Sequence, residues 1–67
     1  MIKIKVNGKE KEIADNVPIF NFLSENKIVL DGVFVGYNGA VIAKNKLGGI
    51  ILKNGDILEI IRIAAGG

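Results

Sequence analysis

The chain contains no cysteine and no histidine, and only one proline and one tyrosine, among its 67 residues. Without cysteine no disulfide can staple the fold, and without either residue the usual zinc ligand sets are excluded, so the core must hold the fold by itself. The same absences remove the common groups for acid–base and nucleophilic catalysis. No apolar run approaches the roughly eighteen residues that would span a bilayer. The opening Met1-Ile2-Lys3-Ile4-Lys5 lacks the long apolar region of a signal peptide. The net charge is only +2, with the basic residues spread along the chain, which does not argue for a nucleic-acid partner. There is no internal repeat and no linker. A single cytoplasmic domain is expected, with neither nucleic acid nor membrane as partner.

What is present is apolar side chain in quantity. Hydrophobic residues make up 49% of the chain, too many for a disordered segment. Yet a body of this length buries only about 60% of its extended-chain surface. Ile2, Ile4 and Val6 alternate with Lys3 and Lys5, the period of a half-buried strand. Asn7-Gly8 supplies a hairpin turn, and Lys9-Glu10-Lys11-Glu12-Ile13 returns as a charged edge strand. The lysines of this hairpin read as a solvated sheet surface. Asp15 and Asn16 compete as N-cap of a short helix, with Pro18 inside its first turn. Ile19, Phe22 and Leu23 form its buried stripe, with Phe20 at the margin, and Asn26 is the expected left-handed C-cap.

Val33-Phe34-Val35-Gly36-Tyr37-Asn38 reads as an interior strand, with Gly36 marking a close approach or a bulge. Tyr37 is expected to be half-buried with a wet hydroxyl. Asn38-Gly39 turns into a short strand at Ala40-Val41-Ile42-Ala43. Lys44 to Gly49 reads as an irregular polar loop. Its Gly48-Gly49 has neither the glycine spacing nor the Lys-Ser/Thr ending of a phosphate loop. Ile50-Ile51-Leu52 closes the body, and Lys53-Asn54-Gly55-Asp56 is a third tight turn. The order predicts an α+β fold: a mixed four- to five-stranded sheet packed on one short helix, with the last strand parallel to the first in the middle of the sheet.

The last thirteen residues organise the rest. In the final strand Leu58 and Ile60 face the helix, and Glu59, Ile61 and Ile63 take the opposite face. Arg62 has the inward parity but lies at the sheet margin, where its head can reach solvent. Ile61 and Ile63 are either covered by neighbours or form an exposed apolar patch that docks a partner. Arg62 is either a contact for an acidic partner surface or an ordinary solvated arginine. Beyond Ile63 the side chains shrink. Ala64, Ala65, Gly66 and Gly67 bury little area, and the glycines lose much backbone entropy on ordering. The expected division is a domain over 1–63 and a flexible diglycine tail over 64–67, slim enough to thread a narrow channel.

These features together resemble the ubiquitin-like sulfur carriers of the ThiS/MoaD family. The resemblance is carried by Ile2-Lys3-Ile4-Lys5-Val6-Asn7-Gly8, by Val33-Phe34-Val35-Gly36-Tyr37-Asn38-Gly39, and by Gly55-Asp56 leading through the last strand to the terminal Gly66-Gly67. It covers the whole chain. Lys44 to Gly49 departs from the Pro-Arg and aromatic pattern of many thiamine-pathway carriers. The tail Arg62-Ile63-Ala64-Ala65 also lacks the proline usual before the diglycine in molybdopterin-pathway carriers, and length and tail together favour the thiamine branch.

The resemblance implies a ubiquitin-like β-grasp fold and a carrier acted on by enzymes rather than an enzyme. It implies no bound cofactor and no metal, with ATP used by the partner. An adenylyltransferase of the ubiquitin-activating type would activate the Gly67 carboxylate, with Gly66 beside it. A sulfur donor such as a persulfide-bearing protein would convert it to a thiocarboxylate, and thiazole synthase would accept the sulfur. Partner docking falls on Ile61, Arg62, Ile63, Ala64 and Ala65. The alternatives are a carrier for molybdopterin, tungsten cofactor or tRNA thiolation, a ubiquitin-like protein modifier, and a plain protein-binding domain with an inert tail.

Overall fold

The computed structural model describes residues 1–63; the tail expected at 64–67 lies outside the described residues. The elements are β1 (Ile2–Val6), β2 (Lys9–Ile13), α1 (Ile19–Glu25), β3 (Val33–Tyr37), β4 (Ala40–Ile42), a 3-10 helix (Lys44–Gly49) and β5 (Ile57–Arg62). The strands form one five-stranded mixed sheet in the order β2-β1-β5-β3-β4. β1 and β5 run parallel, and the remaining pairs are antiparallel. The last strand therefore ends at the centre of the sheet beside the first, as the sequence predicts.

Two Asn-Gly turns set the hairpins. Asn7 and Gly8 have φ of 51° and 82°, and Asn38 and Gly39 have 49° and 91°. Positive φ at both central residues matches the twist of the flanking strands, and Asn and Gly bear it at least cost. The charged β2 lies at the edge of the sheet, where its charges oppose pairing with another chain.

The core lies between the sheet and α1. Ile4 and Leu58 from the centre, Val33 and Val35 from β3, and Ile19, Phe22 and Leu23 from α1 are all buried. The helix has seven residues, too few to be stable alone, so it depends on this burial. Both of its ends differ from expectation. Neither Asp15 nor Asn16 caps it: Pro18 is the N-cap, with ψ of 150° and no side-chain cap bond. The reason is tertiary. Residues 17–19 are held extended against 50–52, with the Leu52 N–H donating to Val17 O at 2.9 Å and the Ile19 N–H to Ile50 O at 2.8 Å. The chain cannot turn helical before Ile19, and the carbonyl of Ile50 satisfies the N–H that a side-chain cap would have taken. Asn16 instead occupies the left-handed region at φ 61°.

At the other end Asn26 is the C-cap, as expected, but with φ of −90°; the left-handed residue is Lys27, at φ 58°. The Ile28 N–H donates to Leu23 O and the Lys27 N–H to Ser24 O, the bond pair of a Schellman ending. Asn26 serves by its side chain, with Nδ2 donating to Phe22 O at 2.7 Å.

Three further expectations are corrected. Gly36 marks neither a bulge nor a crowded site. Its register with Glu59 and Val41 is regular, and a Cβ there would meet Glu59 Cβ at 3.5 Å, ordinary contact. The Tyr37 hydroxyl is not left to water but donates to Asp56 Oδ2 at 2.8 Å. The polar segment Lys44–Gly49 is a 3-10 helix, and its Leu47 is fully buried, which closes the core beside α1.

Leu47 thus contributes to the core from a segment with no apolar periodicity. Leu47→Ala should lower the unfolding free energy measured in urea by about 2–5 kcal/mol, the range for emptied leucine sites. Lys46→Ala on the exposed side of the same turn should change it by less than about 0.5 kcal/mol.

Candidate functional site

The candidate site is the exit of β5, so its geometry starts with what fixes that strand. On one side β5 pairs with β3 over five residues, from Tyr37 opposite Leu58 to Val33 opposite Arg62. On the other side β1 is in register only at Lys5 with Ile57 and at Val6 with Leu58. Beyond Val6 an asparagine side chain takes over. Asn7 Oδ1 accepts from the Ile60 N–H at 2.8 Å, and its Nδ2 donates to Ile60 O at 3.4 Å. A primary amide carries the same donor and acceptor as a peptide unit, so Asn7 extends the ladder past the end of β1. The Ile63 N–H donates to Gly32 O at 2.9 Å, which guides the chain to the last described residue.

The start of β5 is fixed by Asp56, only 8% exposed. Its carboxylate accepts from the Tyr37 hydroxyl at 2.8 Å, the Lys53 N–H at 2.8 Å and Asn38 Nδ2 at 3.1 Å. Asn38 Oδ1 accepts from the Ile57 N–H at 2.8 Å. Burial disfavours the charge on Asp56. The bonds from Lys53, Tyr37 and Asn38, with the nearby Lys53 ammonium, outweigh burial and hold its pKa below the ordinary value. The bond to Asp56, burial and the carboxylate's charge push the Tyr37 phenol up. Asp56 is therefore more than the turn aspartate that the sequence suggests: one carboxylate ties the β3–β4 hairpin to the first residue of the last strand.

The side chains of β5 divide by parity as predicted for Leu58, which is buried; Ile60 is partly buried on the same face. On the open face Ile61 is 51% exposed and Ile63 is also 51% exposed. Phe34, directly opposite Ile61 in register, is 50% exposed. The apolar patch thus continues onto β3 through a residue not assigned to it from sequence. Its signal was available, since Val33 and Val35 face inward and Phe34 between them must face out. Arg62 has the opposite parity and is exposed at the sheet margin. Ile61, Arg62 and Ile63 are brought together at the strand exit, while Ala64, Ala65, Gly66 and Gly67 lie outside the described residues. Among the described residues, no group of three acidic, histidine or cysteine side chains is placed to hold a metal. No helix there is long and apolar enough to cross a membrane.

A mixed five-stranded sheet with parallel first and last strands at its centre, one helix across one face and the last strand leaving at the sheet's end defines the ubiquitin-like β-grasp proteins. Within that class the chain belongs to the ThiS family, whose model matches residues 4–67. The crystal structure of a thiamine biosynthesis protein (ThiS) from Geobacter metallireducens is similar at a TM-score of 0.86 and 28% identity, covering 98% of this chain and 100% of that one. The solution structure of a thiamine biosynthesis protein from the same organism gives a TM-score of 0.79 at 28% identity, over 98% and 88% of the two chains. No curated protein matches the chain significantly.

The anchoring of β5 has a pH signature. Because the pKa of Asp56 is depressed on folding, its contribution is complete above the unfolded value of about 3.9 and is lost as pH falls through the lower folded value. Asp56→Asn should cost about 1–3 kcal/mol at neutral pH. It should also flatten the acid limb of an unfolding free-energy profile measured from neutral to about pH 2. At the alkaline end the raised Tyr37 pKa works oppositely: its contribution is present below about 10 and fades as pH rises through the folded value.

Proposed function

We propose that the chain is a sulfur carrier for thiazole formation in thiamine biosynthesis, working through the carboxylate of Gly67. The observation that carries this reading is the reach of the family match, which runs through residue 67 and so takes in Gly66-Gly67. The thiamine biosynthesis proteins to which the chain is similar support the pathway. The exposed Ile61, Ile63 and Phe34 at the strand exit support a body that docks on partner enzymes.

The chemistry follows from the poor reactivity of a carboxylate. Its oxygen is a bad leaving group, so it must first become a mixed anhydride. In an adenylyltransferase of the ubiquitin-activating type, a Gly67 carboxylate oxygen attacks the α-phosphorus of ATP. The bond to the β-phosphate breaks, and pyrophosphate leaves. A persulfide sulfur on a donor protein then attacks the acyl carbon and expels AMP. A thiol cleaves the resulting acyl disulfide, becoming oxidised to a disulfide as the S–S bond accepts two electrons. A thiocarboxylate remains at Gly67. Thiazole synthase takes its sulfur, and the carrier returns with an ordinary carboxylate. The chain's own part is to present the tail: the β-grasp body fixes the strand exit, and Ile61, Arg62, Ile63, Ala64 and Ala65 form the docking segment. ATP is bound by the partner, and no cofactor is held by the carrier.

Incubation with such an adenylyltransferase, ATP and a sulfur donor should replace one oxygen by one sulfur, read as intact mass. Deleting Gly66 and Gly67, or adding one residue after Gly67, should abolish the change while the circular dichroism spectrum and unfolding midpoint stay as in the parent. An unaltered mass with an enzyme active on its own carrier would sink the reading.

A further inference from the structure

Beside the strand exit, on the helix side of the sheet, lies an open groove of about 590 Å³. Its floor is apolar, built from Val6, Phe22, Ile28 and Ile60, and its rim carries three cations, Lys9, Lys11 and Arg62. Among the described residues no carboxylate lines it. The single ion pair among the described residues, between the Met1 amine and Asp15, involves none of these cations. In β2 the acidic residues have the other parity: Glu10 and Glu12 are in register with Lys5 and Lys3, while Lys9 and Lys11 fall on the helix side. The alternating sequence Lys-Glu-Lys-Glu is thus sorted by the pleat into an acidic row and a basic row.

Lys11 is also held in place. Its Nζ donates to Asn26 Oδ1 at 3.1 Å and stands 5.7 Å from the centre of the Phe22 ring. One of its three donors is used, which leaves two further donors for a partner. Part of the side-chain entropy lost on binding is already lost in the free protein. Asn26 is fixed in turn by its bond to Phe22 O.

We infer that this groove docks an acidic segment of the adenylating partner, one that places a large apolar side chain on the Phe22–Ile60 floor and carboxylates against Lys9, Lys11 and Arg62. The inference rests on the carrier reading above. A partner that draws in the tail must lie against the end of the body from which the tail leaves, and Arg62 belongs both to that exit and to the groove. The occupant is a protein and not a nucleic acid. Three cations around an apolar floor do not make the extended basic track that a phosphate backbone requires, and the floor needs an apolar side chain to cover it.

The test uses the full chain with the adenylyltransferase and measures ATP–pyrophosphate exchange against carrier concentration. Lys9→Glu combined with Lys11→Glu should raise the KM for the carrier by about tenfold or more, as loss of charge complementarity does, with kcat unchanged. The salt dependence of KM should flatten. Lys46→Glu, the same kind of charge reversal away from the groove, should leave KM unaltered. Lys11→Arg should retain parental KM, and Lys9→Glu alone, at a side chain that bonds to none of the described residues, should show an intermediate rise without loss of fold. Equal KM for parent and reversed variants overturns the inference, as does a rise with Lys46→Glu equal to that of Lys9→Glu alone, the same change of net charge, which would show a response to net charge alone. Self-association of the free chain that the reversed variants abolish also overturns it, by making a second copy the occupant. A parent chain that the enzyme does not adenylate at all removes the carrier reading and this partner with it, a result distinct from any of the variant outcomes.

Discussion

The structure depends on a central strand that arrives last. β5 enters between β1 and β3 and takes hydrogen bonds from both, but β1 is in register with it at only two positions. In a parallel pair whose first strand ends early, the backbone groups of the longer strand would face a gap. Asn7 fills it by presenting an amide to Ile60, Asn38 does the same for Ile57, and Asn54 Oδ1 accepts from the Lys3 N–H at the start of β1. Each of these residues precedes a glycine in a turn. The turn chemistry and the repair of the central ladder are therefore supplied by the same side chains.

With the strand so held, the two faces of the sheet separate in role. One face is committed to α1 and to Leu47 and Leu52, which close the core from the connecting segment. Among the described residues no element covers the other face, and Phe34, Ile57 and Ile61 are exposed there. The open face and the strand exit form one continuous surface, because β5 supplies side chains to both. The folded body thus has one end that combines a firm anchor with an apolar patch, the features on which the proposed carrier role draws.

Much of this was legible in the sequence, and the parts that were not share a physical cause. Period-two alternation in Ile2–Val6, the Asn-Gly pairs and the stripe of Ile19, Phe22 and Leu23 report local geometry, and local geometry is written in adjacent residues. The helix N-cap is not legible locally because Pro18 is restrained by residues 50–52, far along the chain. The burial of Leu47 is not legible because a single leucine among Lys, Asn and Gly has no periodicity to reveal it. Asp56 read as a turn residue because its partners Tyr37 and Asn38 lie in another hairpin. At the candidate site, parity placed Ile61, Ile63 and Arg62 correctly. The groove needs β2, α1 and β5 to be brought together before its charges can be seen on one side.

The asparagine side chains that complete the ladder also give the protein a chemical clock. An asparagine followed by glycine is the pair whose amide most readily cyclises onto the next backbone nitrogen and hydrolyses to aspartate or isoaspartate. At Asn7 the conversion would replace the Nδ2 donor with a negative oxygen facing the carbonyl of Ile60. At Asn38 it would set a second carboxylate against Asp56. Ageing of either side chain would thus loosen the last strand at one of its ends, while the native bonds to Ile60 and Ile57 restrain both amides from the cyclising geometry. The residues that fix the two ends of the strand would thereby also be those whose slow chemistry limits how long it stays fixed.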